Sequence, residues 1–72
     1  MLAITVNGHH LNVKTNTTLQ QALALYTANT TPLDLSNVAV VVNQNIVPRS
    51  LWQEHVCQSH DHIEIFSPVA GG

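Results

Sequence analysis

Asn7-Gly8 stands between two runs in which apolar and polar residues trade places, "LAITV" before it and "HHLNV" after it. Alternation with a period of two marks a strand with one buried face. Asn-Gly is the strongest short hairpin signal, because both central positions of a type I′ turn need positive φ. A two-residue loop pairs Val6 with His9, Ile4 with Leu11 and Leu2 with Val13. Leu2, Ile4, Leu11 and Val13 then share one face, so turn chemistry and hydrophobic pattern agree on the register. A four-residue loop through His10 keeps the same parity; a three-residue loop does not.

The hairpin needs something to cover that face. "TTLQ" at residues 17–20 reads as a helix start, with Thr17 as N-cap and Gln20 at the capping-box spacing. Leu19, Ala22, Leu23 and Tyr26 follow at i, i+3, i+4 and i+7, one stripe aimed at a core. The pattern fades by Asn29, and residues 30–37 read as a loop in which Pro32 stops the helix. Residues 38–42, "VAVVV", form a β-branched run without alternation. Such a run suits a strand covered on both faces, or on one face with a partner on the other. Asn43-Gln-Asn45 turns the chain, and Ile46-Val47 starts a short strand that Pro48 confines to an edge. Leu51, Trp52 and Val56 are apolar enough to close the far side of the core. "HIEIF" at residues 62–66 alternates again, with Ile63 and Ile65 on one side, Glu64 and Phe66 on the other.

The expected architecture is α+β: a small mixed sheet with one main helix packed across one face, over residues 1–66, followed by a flexible tail at 67–72. Phe66 points away from the Ile63/Ile65 core. It is either a docking point for a partner or an aromatic tucked under a loop.

Size and charge limit the function. A domain of 72 residues buries only about 60% of the surface its unfolded chain exposes, which leaves no room for a large catalytic cavity. Charged residues make up 8% of the chain, against about 25% in an ordinary domain. The formal net charge of −2, with Lys14 and Arg49 as the two basic residues, argues against nucleic acid, which needs clustered cations. No apolar run reaches the length of a membrane span, and the N-terminus lacks a charged region followed by a long apolar stretch. One cysteine, Cys57, requires no oxidising compartment, so a cytoplasmic protein, monomeric when free, is expected.

Candidate chemistry inside the body is thin. His60 and His62 would share a face on a strand, but Asp61 would point the other way, and His9 and His10 are adjacent in a turn; no metal is assigned. Cys57 with His55 or His60 is a possible Cys–His pair, yet a nucleophile needs a lowered pKa and a dry cleft, and a packed thiol fits better. No phosphate loop, Ser-His-Asp arrangement or carboxylate pair is present. No cofactor is expected to bind the chain itself, and the chain is not expected to be an enzyme.

What remains is "PVAGG". A carboxylate on Gly71-Gly72, with no β-carbons, is slim enough to thread a narrow channel in an enzyme. Conversion to an acyl-adenylate would give that poor electrophile AMP as a leaving group, with ATP and Mg²⁺ supplied by the enzyme. Ordering each tail residue costs on the order of 1–2 kcal/mol, so docking of the folded body through Phe66 and Val69 must offset it.

The segment "VAVVVNQNIVPRSLW" at residues 38–52 resembles the Asn-x-x-Ile-Val-Pro-Arg-x-x-Trp signature of the ThiS family of sulfur carriers in thiamine biosynthesis. The order of elements and the terminal "AGG" match as well, over nearly the whole chain. The resemblance implies a β-grasp, ubiquitin-like fold. It implies that a ThiF-like enzyme adenylates Gly72, that a cysteine desulfurase route converts it to a thiocarboxylate, and that the thiazole synthase ThiG receives the sulfur. Gly72 would carry the reactive group, with Gly71 and Ala70 as the threading tail. Pro48, Arg49 and Trp52 match the signature; Trp52 reads first as core, and Arg49 as a candidate partner contact. The family commonly has Asp-Gly-Asp before the last strand, where this chain has Ser59-His60-Asp61. A positive φ at the middle position would make His60 costly, although His tolerates it better than most residues. The tail "FSPVAGG" also resembles that of MoaD, the small subunit of molybdopterin synthase, which stands as the alternative beside a plain β-grasp binding module.

Overall fold

A computed structural model describes residues 1–29 and 35–67, the side chain of Asn29 excepted. The hairpin forms as its sequence requires: β1 (Leu2–Val6) and β2 (His9–Val13) pair antiparallel, with Leu2 opposite Val13, Ile4 opposite Leu11 and Val6 opposite His9. The loop is the two-residue one, Asn7 at φ 51° and Gly8 at φ 82°. His9 and His10 therefore lie on β2 rather than in the turn.

Helix α1 (Leu19–Asn29) buries Leu19, Ala22 and Leu23 completely and Tyr26 partly, the expected stripe. Its cap sits one residue later than the sequence suggests. Gln21 N–H donates to Thr18 Oγ1 at 3.2 Å and Thr18 N–H donates to Gln21 Oε1 at 3.0 Å, so the capping box is Thr18/Gln21, not Thr17/Gln20. Thr17 is held elsewhere: its N–H donates to Lys14 O, and its carbonyl accepts from Cys57 N. The remaining free donors of the first turn are also met, Leu19 N by His55 O at 2.7 Å and Gln20 N by Trp52 O at 3.2 Å. Every N–H that a helix start leaves orphaned has a partner here.

Strand β3 (Ala39–Val42), the short β4 (Asn45–Ile46) and β5 (His62–Phe66) complete a five-stranded sheet in the order β2-β1-β5-β3-β4. β5 runs parallel to β1 and antiparallel to β3, so the last strand lies at the centre. A hairpin, a crossing helix and a last strand inserted beside the first make this the β-grasp topology. The β-branched run proves to be one-sided: Val40 and Val42 are buried, Val41 is half-buried and Ala39 exposed. β4 forms the edge that Pro48 permits, one residue earlier than expected, and Val47 turns inward with its N–H on Val40 O.

Trp52 closes the far end of the core, 4% exposed, its Nε1–H donating to Val47 O at 2.9 Å. Leu51 and Val56 do not join it; they are 46% and 45% exposed, and Val47 and Cys57 fill that space. A short 3₁₀ turn, Arg49–Leu51, aims Trp52 inward and leaves its neighbour Leu51 outside. His60 does adopt the costly conformation, with φ 69°. It therefore sits in a turn, and the reading that puts His60 and His62 on one strand face does not hold.

Candidate functional site

β5 decides where the tail can begin. Ile63 and Ile65 face the helix and are buried, so the period of two turns His62, Glu64 and Phe66 to the other side of the sheet. Among the described residues no helix covers that side. Antiparallel register places Ala39 opposite Phe66 and Val41 opposite Glu64 on β5, and Ile46 opposite Val41 across the edge. Phe66 is 53% exposed and Ile46 73%, so an apolar strip crosses three strands and ends where the chain leaves the sheet. Phe66 and Ser67 meet Val38 and Ala39 around a shallow hollow at that exit. Of the expected site residues, Val69, Ala70, Gly71 and Gly72 lie outside the described residues, as does the expected tail apart from Ser67.

Arg49 is exposed, yet it is engaged within the chain. Its guanidinium carbon stands 5.7 Å from the centroid of the Trp52 ring, and Nη1 donates to Leu35 O at 3.3 Å. Leu35 opens the 3₁₀ turn that runs into β3, whose first residue is the register partner of Phe66. Arg49 thus braces the connection leading to the tail exit.

A second polar centre, unforeseen in the sequence, holds the start of β5. Asp61 is 6% exposed; Oδ1 accepts from Asn43 Nδ2 at 2.9 Å and Oδ2 from Gln58 N at 2.8 Å. Asn43 Oδ1 accepts in turn from His62 N at 2.9 Å, and Asn7 Oδ1 accepts from Ile65 N at 2.8 Å. Two turn asparagines therefore extend the ladders of the central strand. The pairings span 18 or more residues, and local pattern carries no signal for them; three Asx residues in or beside turns were the sole hint.

The body offers little for catalysis. Burial, and then the charge of nearby Asp61, push the Cys57 thiol up from its ordinary value of 9.0 to about 11, so it stays protonated and a poor nucleophile. Among the described residues no three His, Cys, Asp or Glu side chains gather as a metal site. Among them too, no helix is long and apolar enough to cross a membrane.

The ThiS family model matches residues 2–72, the terminal glycines included. The chain belongs to the ThiS family. It is 43% identical over 37 residues to the sulfur carrier protein ThiS of Escherichia coli (strain K12), an alignment taking in 51% of this chain and 56% of that protein. The matched segment thus spans just over half the length of that curated relative. The crystal structure of a thiamine biosynthesis protein, ThiS, from Geobacter metallireducens superimposes with a TM-score of 0.76, covering 99% of this chain and 100% of that one. At 19% identity this likeness shows the shared fold.

Proposed function

We propose that this chain carries sulfur as a thiocarboxylate on Gly72 and delivers it to the formation of the thiazole of thiamine. The observation that supports this most is the family match running through Gly71-Gly72, on a body whose own thiol is buried and protonated. The name of the Escherichia coli relative, a sulfur carrier protein, supports the same reading.

The chemistry follows from a bare carboxylate. A ThiF-like enzyme binds ATP and Mg²⁺; a Gly72 oxygen attacks the α-phosphate, pyrophosphate leaves, and an acyl-adenylate forms. The terminal sulfur of a persulfide from a cysteine desulfurase route then attacks the acyl carbon and AMP departs, giving an acyl disulfide; a second thiol attacks the other sulfur of that bond, is itself oxidised to a disulfide, and releases the thiocarboxylate. ThiG accepts that sulfur. The chain acts as a co-substrate and supplies no catalytic group. Gly71 and Ala70 thread the enzyme's channel, while Val69, Phe66 and Arg49 meet the enzyme outside it.

The test weighs the intact chain after incubation with ATP, Mg²⁺, the adenylating enzyme and a sulfur source. Exchange of one oxygen for sulfur at Gly72 is expected. A variant with one residue appended after Gly72 should stay unmodified, and the unextended chain should rescue a strain that requires thiamine for lack of its own carrier. Full activity of the extended chain overturns the reading.

A further inference from the structure

The two edges of the sheet differ. Among the described residues β2 has a single neighbour, β1. In a two-residue hairpin the pair that closes the loop, here Val6 and His9, exchanges both backbone hydrogen bonds. His9, Leu11 and Val13 therefore turn their N–H and C=O groups toward β1, and His10 and Asn12 turn theirs outward. The far side of β1 agrees, since Thr5, the partner of His10, gives its N–H to Asp61 O at 3.0 Å. Nothing on β2 guards its edge: "HHLNV" has no proline and no formal charge, and it pairs with β1 residue for residue, without a bulge. β4 at the other edge is two residues long, with Pro48 soon after it.

Beside the β2 edge, on the helix side of the sheet, runs a groove of about 520 Å³. Met1, Val13, Thr17, Gln21, Ala24 and Leu25 line it. Val13 and Thr17 are its buried floor, while Leu25 (42% exposed) and Met1 (81%) stand open to water. Lys14, also in the lining, is its one side chain with a formal charge, and no carboxylate among the described residues pairs with it. Helix α1 has no charged residue on any face.

We propose that this edge and groove bind an extended peptide segment of a partner protein, apolar with an acidic residue at one end. Its backbone adds a strand beside β2, an apolar side chain enters the groove, and an Asp or Glu meets Lys14. The inference goes beyond the sulfur-carrier reading and does not depend on it. The outward N–H and C=O groups of β2 call for a backbone, which an added strand supplies and a compact ligand does not. Side chains of such a strand alternate between faces, so every second one lands on the helix side, where Val13, Ala24 and Leu25 are. Lys14 selects the acid. Two rival occupants fit less well. A second copy laid edge to edge brings the strand but no carboxylate, since residues 8–14 hold none. An anionic lipid surface brings the charge but no backbone to complete the ladder. β2 lies two places from β5 in the sheet, so a partner held here leaves the tail exit and the open face uncovered.

The experiment titrates the full chain with synthetic peptides, followed by amide NMR spectra and fluorescence anisotropy. The probe joins a pair of aspartates to Val-Ile-Val-Ile, made with the acids at either end because the added strand can run in either direction. Companion peptides carry lysines in place of the acids, or N-methyl groups on alternate amides of the apolar run. One acidic probe should shift the amides of β2, Ala24 and Leu25 and slow hydrogen exchange at His10 and Asn12 N–H. K14A should weaken binding about 5-fold and K14E about tenfold or more, and high salt should close the gap between K14A and the unmodified chain. L25S should weaken it with salt dependence kept, the N-methylated probe should not bind, and E64Q, on the opposite face, should match the unmodified chain. Thermal melts verify that each variant is folded. The absence of any shift with both acidic probes up to about 1 mM overturns the inference. So do shifts confined to the open face around Phe66, or equal affinity in K14E. Two further results overturn it in favour of a rival: sedimentation showing a dimer that L25S dissociates, or flotation with phosphatidylserine vesicles that K14E abolishes while the peptides shift no amide. Failure of Gly72 to gain sulfur overturns the sulfur-carrier reading alone and leaves the peptide titration to decide this one.

Discussion

Asn43 and Asp61, eighteen residues apart, join the turn after β3 to the turn before β5 through a 2.9 Å hydrogen bond between Nδ2 and Oδ1. Asp61 also accepts from Gln58 N, and its backbone carbonyl accepts from Thr5 N at 3.0 Å. The central strand is thus fixed at its entry by one carboxylate with two side-chain bonds. D61A removes a nearly buried charged acceptor and leaves two donors without it. A loss of about 2–3 kcal/mol is expected, read as a lower urea midpoint at unchanged slope. N43A breaks one of those bonds and the Oδ1 contact to His62 N and leaves alanine at φ 51°, so it should cost about as much as D61A.

Besides the turns at Asn7 and Asn16, two turns hold left-handed residues that are not glycine. Gln44 at φ 73° follows Asn43 at φ 51°, the two centres of the β3–β4 hairpin, and His60 has φ 69°. The first hairpin solves the same problem with Asn7-Gly8. Q44G would copy that solution, and H60G would relieve the turn before β5, whose N–H bond to Ala3 O survives the change. Each should stabilise the fold by about 0.5–1 kcal/mol after the added freedom of the unfolded chain is counted. The sites are separate enough for the gains to add. Thermal melts of both singles and the double check this.

The helix cap provides a contrast within one tetrapeptide. Gln20 and Gln21 are adjacent, but only Gln21 reaches back to Thr18. T18A should cost about 1 kcal/mol and Q21A about half of that, whereas Q20A should stay within about 0.5 kcal/mol of the unmodified chain. Chemical denaturation of the three variants separates the two registers.

That contrast also explains what the sequence could and could not disclose. "TTLQQ" satisfies the capping-box spacing twice, and the tie is broken by the bond from Cys57 N to Thr17 O, which no local pattern carries. The register of the first hairpin was legible, because Asn7-Gly8 and the Leu2/Ile4/Leu11/Val13 face constrain it twice over. Ile63 and Ile65 were legible for the same reason. In the all-β-branched run from Val40 to Val42, by contrast, inward and outward residues are chemically alike, so its open side was invisible. The apolar strip inherits that blindness: Phe66 stood out as the lone aromatic of its strand, while Val41 and Ile46 become its neighbours only once register is known.

Cys57 gives the fold a dependence on alkaline pH. Its thiol titrates near 11 when folded because burial, and then Asp61, disfavour the thiolate. Unfolded, it titrates near the ordinary value of 9.0. Between those values the unfolded chain has released a proton that the folded chain retains, so rising pH favours unfolding. The stabilisation is complete below pH 9 and lost through 11, at most about 2–3 kcal/mol. C57A should flatten the decline in urea midpoint over that window. Alkylation of the native chain at pH 8 should be slow, and faster in D61N, where the second cause is gone.

Arg49 tests whether one side chain serves both fold and partner. Its guanidinium lies over Trp52 and binds Leu35 O, both at an exposed position, so R49A should lower stability by no more than about 1 kcal/mol. If bracing the Leu35 turn is its whole role, R49K, which keeps a cation near the ring, should recover most of that loss, and KM for adenylation should track stability across the series. A direct contact with the enzyme predicts a different pattern: R49A and R49K both raise KM several-fold at temperatures where each is fully folded, because an ammonium cannot reproduce the planar fork of the guanidinium. We expect the second pattern, since the Trp52 ring occupies one face of the guanidinium and Leu35 O takes a single N–H, which leaves other donors of an exposed arginine directed to solvent. Measuring KM and melting temperature on the same preparations distinguishes the two.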